Sequence, residues 1–330
     1  MTKIIIDALG ADEGPDMVAE ALLLARKERD FDAVLVGPKK KLAGALSGLN
    51  RLEFMDTDEY IRNDESPVLA IRKKKNSSHV VGMTRLNEEG DVFLSAGSTG
   101  ALLAGGYFIV KRIKGIDRAC LAVSIPSPKG NTLLLDSGAN MDTDPHTLYQ
   151  FALLGQAYLE ASGLKDRPRV GLLNVGSEEG KGDKRSLETY RLLKESTLNF
   201  VGNIEAREIL DGACDILVTD GFAGNVALKT LEGAVMTMLS GLKGALGSSL
   251  KTKLGGLLIK SALKDFLKDY NYKDRGGAPL LGISKPVYKA HGNSTAHSFK
   301  SAILEALDYA ESGVEAKIIQ MMNDMEEGNE

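Results

Sequence analysis

The sequence is poor in several residue types that mark particular classes of protein. It has no tryptophan, two cysteines and four histidines in 330 residues. Cys120 and Cys214 do not form a CxxC pair and no HxxxH motif occurs, so we expect no structural metal ion. The opening residues, MTKIIIDALG, already have the pattern of a strand. We therefore expect no signal peptide, and we expect both thiols to be reduced and buried.

Further absences narrow the function. No apolar run is long enough to span a bilayer. The net charge of −4 argues against general binding of nucleic acid. The chain contains no Walker A loop, no GxGxxG fingerprint and no GxSxG nucleophile elbow. A composition of 43% hydrophobic and 26% charged residues is that of a globular protein.

What the sequence does have is glycine, 36 residues of it, mostly at the ends of apolar runs. The central stretch is residues 91–112, DVFLSAGSTGALLAGGYFIVKR. An apolar run ending at Leu94 predicts a buried strand, a loop of small residues follows, and the next apolar segment predicts a helix. Backbone N–H groups at such a junction can bind an anion. The alternative is a tight connection in which Ser98 or Thr99 only caps the helix.

The same order of apolar strand, polar loop and helix recurs along the chain. It predicts an α/β fold with three layers, αβα, in which helices cover a mostly parallel sheet. Loops that follow parallel strands lie along one edge of the sheet, where ligands bind. We therefore expect one cleft, with these candidates for binding phosphate or substrate: Gly97, Ser98, Thr99, Gly100, Asp136, Asn140, Asn174, Gly176, Ser177, Asp220, Gly221 and His291.

Lys181 and Asn225, in the same group of loops, are candidates for catalysis. A phosphate ion that itself attacks a carbonyl carbon needs no protein nucleophile. It needs an anion pocket, a donor for the developing oxyanion and assistance to the leaving group. Lys181 would neutralise phosphate or assist the leaving group, and Asn225 would donate a hydrogen bond to the carbonyl oxygen.

A basic run, Arg72-Lys73-Lys74-Lys75, lies on a predicted helix that begins at Pro67. Such a run is usually a solvated helix face. The alternative is a patch that docks an acidic partner protein.

Residues 240–270 depart from the strand–loop–helix order. Their spacing predicts an amphipathic helical hairpin, interrupted at Gly255-Gly256, that protrudes from a single domain spanning residues 1–330. Its leucines would pack on the domain or on a second subunit, or would attach to an anionic membrane. The candidates for membrane contact are Leu254, Leu257, Leu258, Ile259 and Phe266.

A set of motifs in the chain resembles one known family. In order along the chain they are SAGSTGALLAGG, KRIKGIDRACLA, LLLDSGAN, VGLLNVGSEEGKG, FVGNIEAREIL, VTDGFAGNVALKTLEG and KAHGNS. Together they resemble the bacterial phosphate:acyl-carrier-protein acyltransferases of phospholipid synthesis, from Ile5 to about residue 310. The chain departs from that family at Glu13, where a histidine is usual, and at Asp183, where an amide is usual, whereas Lys181 is kept. We assign no catalytic role to Glu13.

The resemblance implies transfer of an acyl group from the thioester of acyl-carrier protein to inorganic phosphate. The acyl-phosphate would pass to a glycerol-3-phosphate acyltransferase. The resemblance also implies a cytoplasmic homodimer that touches the membrane surface, with no metal or nucleotide cofactor. The implied fold is similar to the isocitrate and isopropylmalate dehydrogenases and the phosphotransacetylases.

Other functions stay open at this point. One is a short-chain phosphotransacetylase that uses coenzyme A, and another is a non-catalytic ligand-binding or membrane scaffold protein. A dehydrogenase of the isopropylmalate type is disfavoured, because the sequence has no cluster of metal-binding aspartates beside an arginine-rich substrate loop.

Overall fold

The computed structural model describes residues 1–127, 129–270 and 276–327, and the side chains of residues 264–270 and of Glu326 lie outside that description. The strands are β1 (Lys3–Asp7), β2 (Asp32–Gly37), β3 (Leu52–Asp56), β4 (Val92–Ser95), β5 (Cys120–Leu121), β6 (Val123–Ser127), β7 (Gly130–Leu135), β8 (Arg169–Asn174), β9 (Asn199–Glu205), β10 (Ile216–Val218), β11 (Gly277–Leu281) and β12 (Val287–Ala290). The α-helices are α1 (Pro15–Glu28), α2 (Lys39–Leu42), α3 (Pro67–Lys73), α4 (Ser78–Glu89), α5 (Thr99–Gly105), α6 (Pro145–Ala161), α7 (Lys184–Glu195), α8 (Gly221–Gly247), α9 (Leu250–Tyr270), α10 (Ala296–Ser312) and α11 (Val314–Glu327). A π-helical turn, Gly106–Val110, continues α5, and a 3₁₀ turn, Ala206–Asp211, follows β9.

The described strands form two sheets in which most neighbours are parallel. The larger has the order β3-β2-β1-β4-β12-β11-β5, and the smaller has the order β6-β7-β10-β8-β9. Antiparallel pairing occurs where β11 meets β12 and β5, and where β6 meets β7. The predicted α/β class with a mostly parallel arrangement is confirmed, but the parallel strands are divided between two sheets.

The two sheets meet at Ala122. The apolar run over residues 121–125 has the pattern of one strand, yet Cys120–Leu121 pairs with β11 of the larger sheet and Val123–Ser127 pairs with β7 of the smaller one. Between them, the Ala122 N–H donates to the carbonyl of Pro279 at 3.1 Å. One short segment therefore carries the chain from one sheet to the other and brings their strand ends together.

Packing explains why the helices lie on the sheet faces. Apolar residues on α1, α6 and α10, with Leu22, Phe151 and Phe299 fully buried, face Ile4 and Ile216 of the two sheets in one continuous core. Burial of a large apolar side chain contributes about 1.5–3 kcal/mol. The core thus fixes the strand ends, and with them the loops that follow.

The helical hairpin consists of α8 and α9. The expected interruption at Gly255-Gly256 is wrong, because α9 runs through both glycines and the turn lies at Ser248 and Ser249. The Ser249 hydroxyl accepts from the Thr252 N–H at 3.2 Å, and the Thr252 hydroxyl accepts from the Ser249 N–H at 3.0 Å. This reciprocal cap starts α9.

The hairpin leaves many of its apolar side chains in solvent. Leu254 and Leu257 are each 66% exposed, Leu258 is 81% exposed and Ile259 is 48% exposed. Phe266 lies within α9, but its side chain is outside the described part of the chain. So large an apolar surface on one element is typical of an interaction site.

Candidate functional site

The loop after β4 begins α5, and its small residues are explained by close packing. Ser98 caps α5, its hydroxyl accepting from the Ala101 N–H at 3.4 Å, as the capping alternative predicted. A Cβ at Gly97 would overlap the His79 ring, and a Cβ at Gly100 would lie 2.6 Å from Cγ of Pro67. We expected these glycines to admit a ligand, but the space beside each is taken by a side chain of the protein.

A buried polar network supports this loop and was missed by the sequence analysis. The Ser95 hydroxyl donates to Oδ2 of Asp7 at 2.7 Å and accepts from the Gly97 N–H at 3.0 Å. Nε2 of His79 lies 3.4 Å from the same hydroxyl, and burial lowers the pKa of His79. Asp7, His79 and Ser95 are all buried, so the network positions backbone and is closed to substrate.

The loop after β7 is organised by Asp136. This buried carboxylate accepts hydrogen bonds from four backbone N–H groups, with distances of 3.0 Å from Leu121 and 2.6 Å from Asn140 among them. Burial raises the pKa of the Asp136 carboxyl, and these hydrogen bonds act in the opposite direction. The Asn140 amide donates to Asp136 and to the Ala119 carbonyl. The polar groups of both side chains therefore form hydrogen bonds within the protein and fix the shape of the loop. In this shape, Ser137 and Gly138 line the cavity described below.

The loop after β10 leads directly into α8. Asp220 caps α8 by accepting from the Ala223 N–H at 2.8 Å, and its other oxygen pairs with Arg185. The Gly221 N–H donates to the Asn140 carbonyl at 2.7 Å. A Cβ at Gly221 would meet that same carbonyl, so the first turn of α8 lies directly against the loop after β7. This contact directs Asn225, one turn further on, toward Gly138.

The loop after β8 is held by two amides. Nδ2 of Asn174 donates to the Lys181 carbonyl and to Oδ1 of Asn203, each at 3.0 Å. Nδ2 of Asn203 donates in turn to the Glu178 carbonyl at 2.9 Å. The Lys181 side chain is exposed on this loop, as is Ser177, whereas Gly176 is buried. These hydrogen bonds fix the shape of the loop, and the Lys181 ammonium lies in solvent.

Asp183 has a structural role. Its carboxylate caps α7 by accepting from the Ser186 N–H at 2.8 Å, and that hydrogen bond is the main cause that lowers the pKa of the Asp183 carboxyl. Asparagine is an equally good N-cap. The departure from the family pattern at position 183 is therefore conservative for the fold.

The loops do not form the single cleft that we expected. Thr99, Gly138, Asn225 and His291 line a first cavity of about 370 Å³. Asn174 and Asp220 line a second cavity of about 800 Å³, together with Asp183 and Arg185. The start of α8 separates the two cavities, because Asn225, Leu228 and Val235 face the first whereas Phe222 and Val226 face the second.

The first cavity has a polar end and an apolar wall. The polar end contains Thr99, Asn225, Lys229, Glu232, Lys289 and His291. The apolar wall is formed by Leu121, Val123, Ile125, Leu210, Leu228, Leu231 and Val235. Within the described part of the chain the Asn225 amide has no hydrogen-bond partner, which leaves it available to a ligand. The cavity therefore suits a molecule that is anionic at one end and hydrocarbon at the other.

Lys289 is the residue of this cavity that the sequence analysis overlooked. It is the first residue of the KAHGNS motif, of which we had singled out only His291. Burial lowers the pKa of the Lys289 ammonium to about 8. Burial also lowers the pKa of His291, and the Lys289 charge adds to that effect. A lysine inside an apolar strand pattern, just before a polar loop, was the available signal.

The basic run lies at the end of α3, close to the same region. The Lys74 ammonium pairs with Glu65 at 2.8 Å, whereas Arg72, Lys73 and Lys75 are exposed. The Arg72 guanidinium lies 4.9 Å from the centre of the Phe108 ring. We call the three exposed cations, Arg72, Lys73 and Lys75, the α3 basic patch. Since α3 packs on α5, the patch lies one helix away from Thr99 and the first cavity.

Both cysteines are buried and unpaired with each other, as predicted. Burial raises the pKa of Cys214 to about 12 and raises the pKa of Cys120 well above its usual value. Thiols so hard to ionise are poor nucleophiles.

In the residues covered by the structure, no helix is both long and apolar enough to cross a membrane. The same described residues include no group of three or more histidine, cysteine or acidic side chains placed to hold a metal ion.

Sequence comparisons identify close relatives. Residues 2–317 match the family described as "Fatty acid synthesis protein". The chain is 46% identical over 314 residues to a phosphate acyltransferase of Thermoanaerobacter pseudethanolicus, a match that covers 94% of this chain and 95% of the relative. It is 45% identical to the phosphate acyltransferase of Brevibacillus brevis, with 97% of each chain covered.

Comparison with solved structures identifies the fold. A phosphotransacetylase from Streptococcus pyogenes superposes with a TM-score of 0.58 at 16% identity over 94% of each chain. A 4-hydroxythreonine-4-phosphate dehydrogenase from Klebsiella pneumoniae superposes with a TM-score of 0.51 at 13% identity, over 94% of this chain and 100% of that one. At these identities the likeness shows a shared fold, and it confirms the predicted similarity to phosphotransacetylases and to dehydrogenases.

Proposed function

The chain belongs to the fatty acid synthesis protein family that includes the phosphate acyltransferases, and on this basis we propose that it transfers long-chain acyl groups from acyl-carrier protein to inorganic phosphate. It is an acyltransferase whose acceptor is phosphate, as its relatives are named. The donor, the chain length and the use of the acyl-phosphate in phospholipid synthesis, through a glycerol-3-phosphate acyltransferase, are the proposed part.

The observation that carries the proposal is the first cavity, with its two chemically different ends. Its cations and its unpaired Asn225 amide suit phosphate and a polarised carbonyl group. Its apolar wall, built mainly by Leu228, Leu231 and Val235 of α8, suits an acyl chain. An acetyl group is too short to cover these apolar side chains, so a long-chain donor fits the cavity better.

The reaction balances without a protein nucleophile. An oxygen of inorganic phosphate attacks the thioester carbonyl carbon and forms the new C–O bond. The C–S bond then breaks, and the carrier-protein thiolate takes up the proton that phosphate releases. Asn225 donates a hydrogen bond to the carbonyl oxygen while it carries negative charge; removal of one such donor typically costs ~10²–10³ in turnover. Lys181 remains a candidate for stabilising the departing thiolate, although its side chain is exposed on its loop.

The carrier protein would dock on the α3 basic patch. The patch presents cations beside an exposed aromatic ring, Phe108, and α3 contacts α5, which leads to the cavity. An acidic partner bound there would be steered by charge and would place its thioester arm near Thr99.

The hairpin would attach the protein to the membrane surface. Leu254, Leu257, Leu258 and Ile259 expose apolar surface on α9, and Lys251, Lys253 and Lys260 lie beside them on the same helix. Each lysine near an anionic lipid surface contributes ~1 kcal/mol. We propose a cytoplasmic homodimer that is peripherally bound in this way, which would release a lipid-like product where it is used.

A donor competition tests the proposal. The enzyme is given phosphate with palmitoyl-acyl-carrier protein, palmitoyl-coenzyme A or acetyl-coenzyme A, and acyl-phosphate is measured. We expect the highest kcat/KM with the carrier-protein donor. A preference for acetyl-coenzyme A would instead identify a short-chain phosphotransacetylase, and no acyl-phosphate from any donor would favour a non-catalytic protein.

A further inference from the structure

Lys289 is placed at the polar end of the first cavity by the sheet. On β12 it is paired in register with Ser95 of β4, so it lies beside the loop that leads to Thr99. Its ammonium donates to the Ala96 carbonyl at 3.1 Å and to its own neighbour, the Ala290 carbonyl. These are neutral acceptors that hold the ammonium at the cavity.

The carboxylates of Asp12 and Asp7 lie near enough to favour the charged form of Lys289, but neither is in direct contact with its ammonium. Among the residues described by the structure, Lys289 forms no ion pair, whereas the other lysine of the cavity, Lys229, pairs with Glu232 at 2.7 Å. The imidazole of His291 lines the same end of the cavity. Lys229, Lys289 and His291 therefore share one end of the cavity, and an anion bound there would relieve their mutual repulsion.

We propose that Lys289 is the cation that binds the inorganic phosphate substrate, and that it holds a phosphate oxygen next to the carbonyl group bound by Asn225. The inference rests on the proposed acyl transfer and assigns its phosphate subsite. Lysine binds phosphate as a compact point charge, and here burial strengthens that attraction. The subsite is completed by Thr99 and His291, which line the same end of the cavity.

A matched pair of variants separates binding from structure. Lys285, just before the same strand, donates to the carbonyls of Leu86 and Asn87 at 2.7 and 3.2 Å and lines neither cavity. Lys289→Met should raise the KM for phosphate roughly 10- to 100-fold, since a hydrogen bond to a charged group is lost. The KM for the acyl donor should change little. Lys285→Met, which also removes contacts to backbone carbonyls, should leave the phosphate KM unchanged in folded protein.

The pH dependence supplies a second readout. The ammonium binds phosphate while it is protonated, and its pKa is about 8, so the wild-type phosphate KM should rise as the pH passes above that value. Lys289→Arg should bind phosphate with little change over the same range, because arginine stays charged. The charged and titratable groups that face Lys289 are Asp7 of β1, Asp12 of the next loop, His79 of α4, Lys229 of α8 and His291.

A measurement on the wild-type protein decides the matter even if the variants fold poorly. Reductive methylation of lysines is followed by mass spectrometry with and without inorganic phosphate, and Lys285 is the internal reference. Phosphate should slow modification of Lys289 several-fold and leave Lys285 unaffected. Equal modification of Lys289 with and without phosphate, or the same phosphate KM in Lys289→Met as in wild type, would overturn the inference.

The inference and the proposed function fail in different ways. If the wild type forms acyl-phosphate from the carrier-protein donor but Lys289 is not protected, the function stands and the phosphate subsite lies elsewhere. If the wild type does not use that donor, the function is refuted, while protection of Lys289 by phosphate still identifies an anion site.

Discussion

The apolar wall of the first cavity leads to a prediction about acyl chain length. Val235 lies on the face of α8 that lines the wall, one turn beyond Leu231. Val235→Phe adds about four carbon atoms, which fill roughly 100 Å³ at ~30 Å³ for each water-sized group. That is about a quarter of a cavity of about 370 Å³ and equals the room of three or four methylene groups.

The cost follows from the methylene groups that no longer fit. Each buried methylene group is worth ~0.8 kcal/mol, so their exclusion costs about 3 kcal/mol. The kcat/KM for palmitoyl-acyl-carrier protein should therefore fall roughly 100-fold. For a donor shorter by more than the excluded methylene groups, such as an octanoyl thioester, kcat/KM should fall only a few-fold.

The assay measures acyl-phosphate from carrier-protein donors of graded chain length. Val226→Phe is the matched control, since it makes the same change on the same helix but faces the second cavity. Its chain-length profile should equal that of the wild type. Equal losses of kcat/KM for long and short donors in Val235→Phe would refute the assignment of this wall to the acyl chain.

Three further predictions address the other parts of the proposed function. Asn225→Ala should lower kcat by ~10²–10³ with little change in the KM of the acyl donor, and a loss of only a few-fold would count against an oxyanion role. Reversal of the α3 basic patch to glutamate should slow association with the carrier protein and weaken its dependence on salt; an unchanged salt response would exclude the patch as the docking site. Leu258→Glu should abolish flotation with anionic vesicles and leave a soluble, active dimer, whereas Leu164→Glu, also at an exposed leucine, should float normally. A monomeric or insoluble Leu258→Glu protein would show that the hairpin is a subunit interface.

The alternation of apolar runs and glycine-rich loops was sufficient to predict the α/β class, because it depends on local periodicity. The division into two sheets was not predictable from the run over residues 121–125. Whether neighbouring residues pair with β7 or β11 is decided by distant strands, and a buried strand has the same apolar pattern in either sheet.

The hairpin shows why glycine alone is a weak signal. Glycine costs a helix about 1 kcal/mol, but packing of the two helices outweighs that cost at Gly255-Gly256. Gly256 faces Leu246 of α8, where an added Cβ would lie 3.5 Å away at an ordinary contact distance, so the helix–helix contact does not itself require glycine. The true boundary had a signal in the reciprocal cap of Ser249 and Thr252.

The candidate site was predicted in part. Thr99, Asn225 and His291 line one cavity. Thr99 and His291 come shortly after the ends of β4 and β12, and Asn225 lies near the start of α8, the helix that follows β10. Asp136 and Asn140 belong to the loop that brings Ser137 and Gly138 to this cavity, yet their own side chains form hydrogen bonds within the loop. Composition cannot distinguish a polar side chain that binds a ligand from one that binds its own backbone, since both types favour such loops.

The central claim is that the acyl group passes directly from the carrier-protein thioester to phosphate. Rapid-quench measurement of a single turnover, with enzyme in excess over palmitoyl-acyl-carrier protein, tests it most directly. We predict that free thiol and acyl-phosphate appear together in equal amounts, and that neither forms when phosphate is left out. Release of the carrier-protein thiol without phosphate, or before acyl-phosphate appears, with no free fatty acid formed by hydrolysis, would contradict the account, because it would require an acylated group on the enzyme.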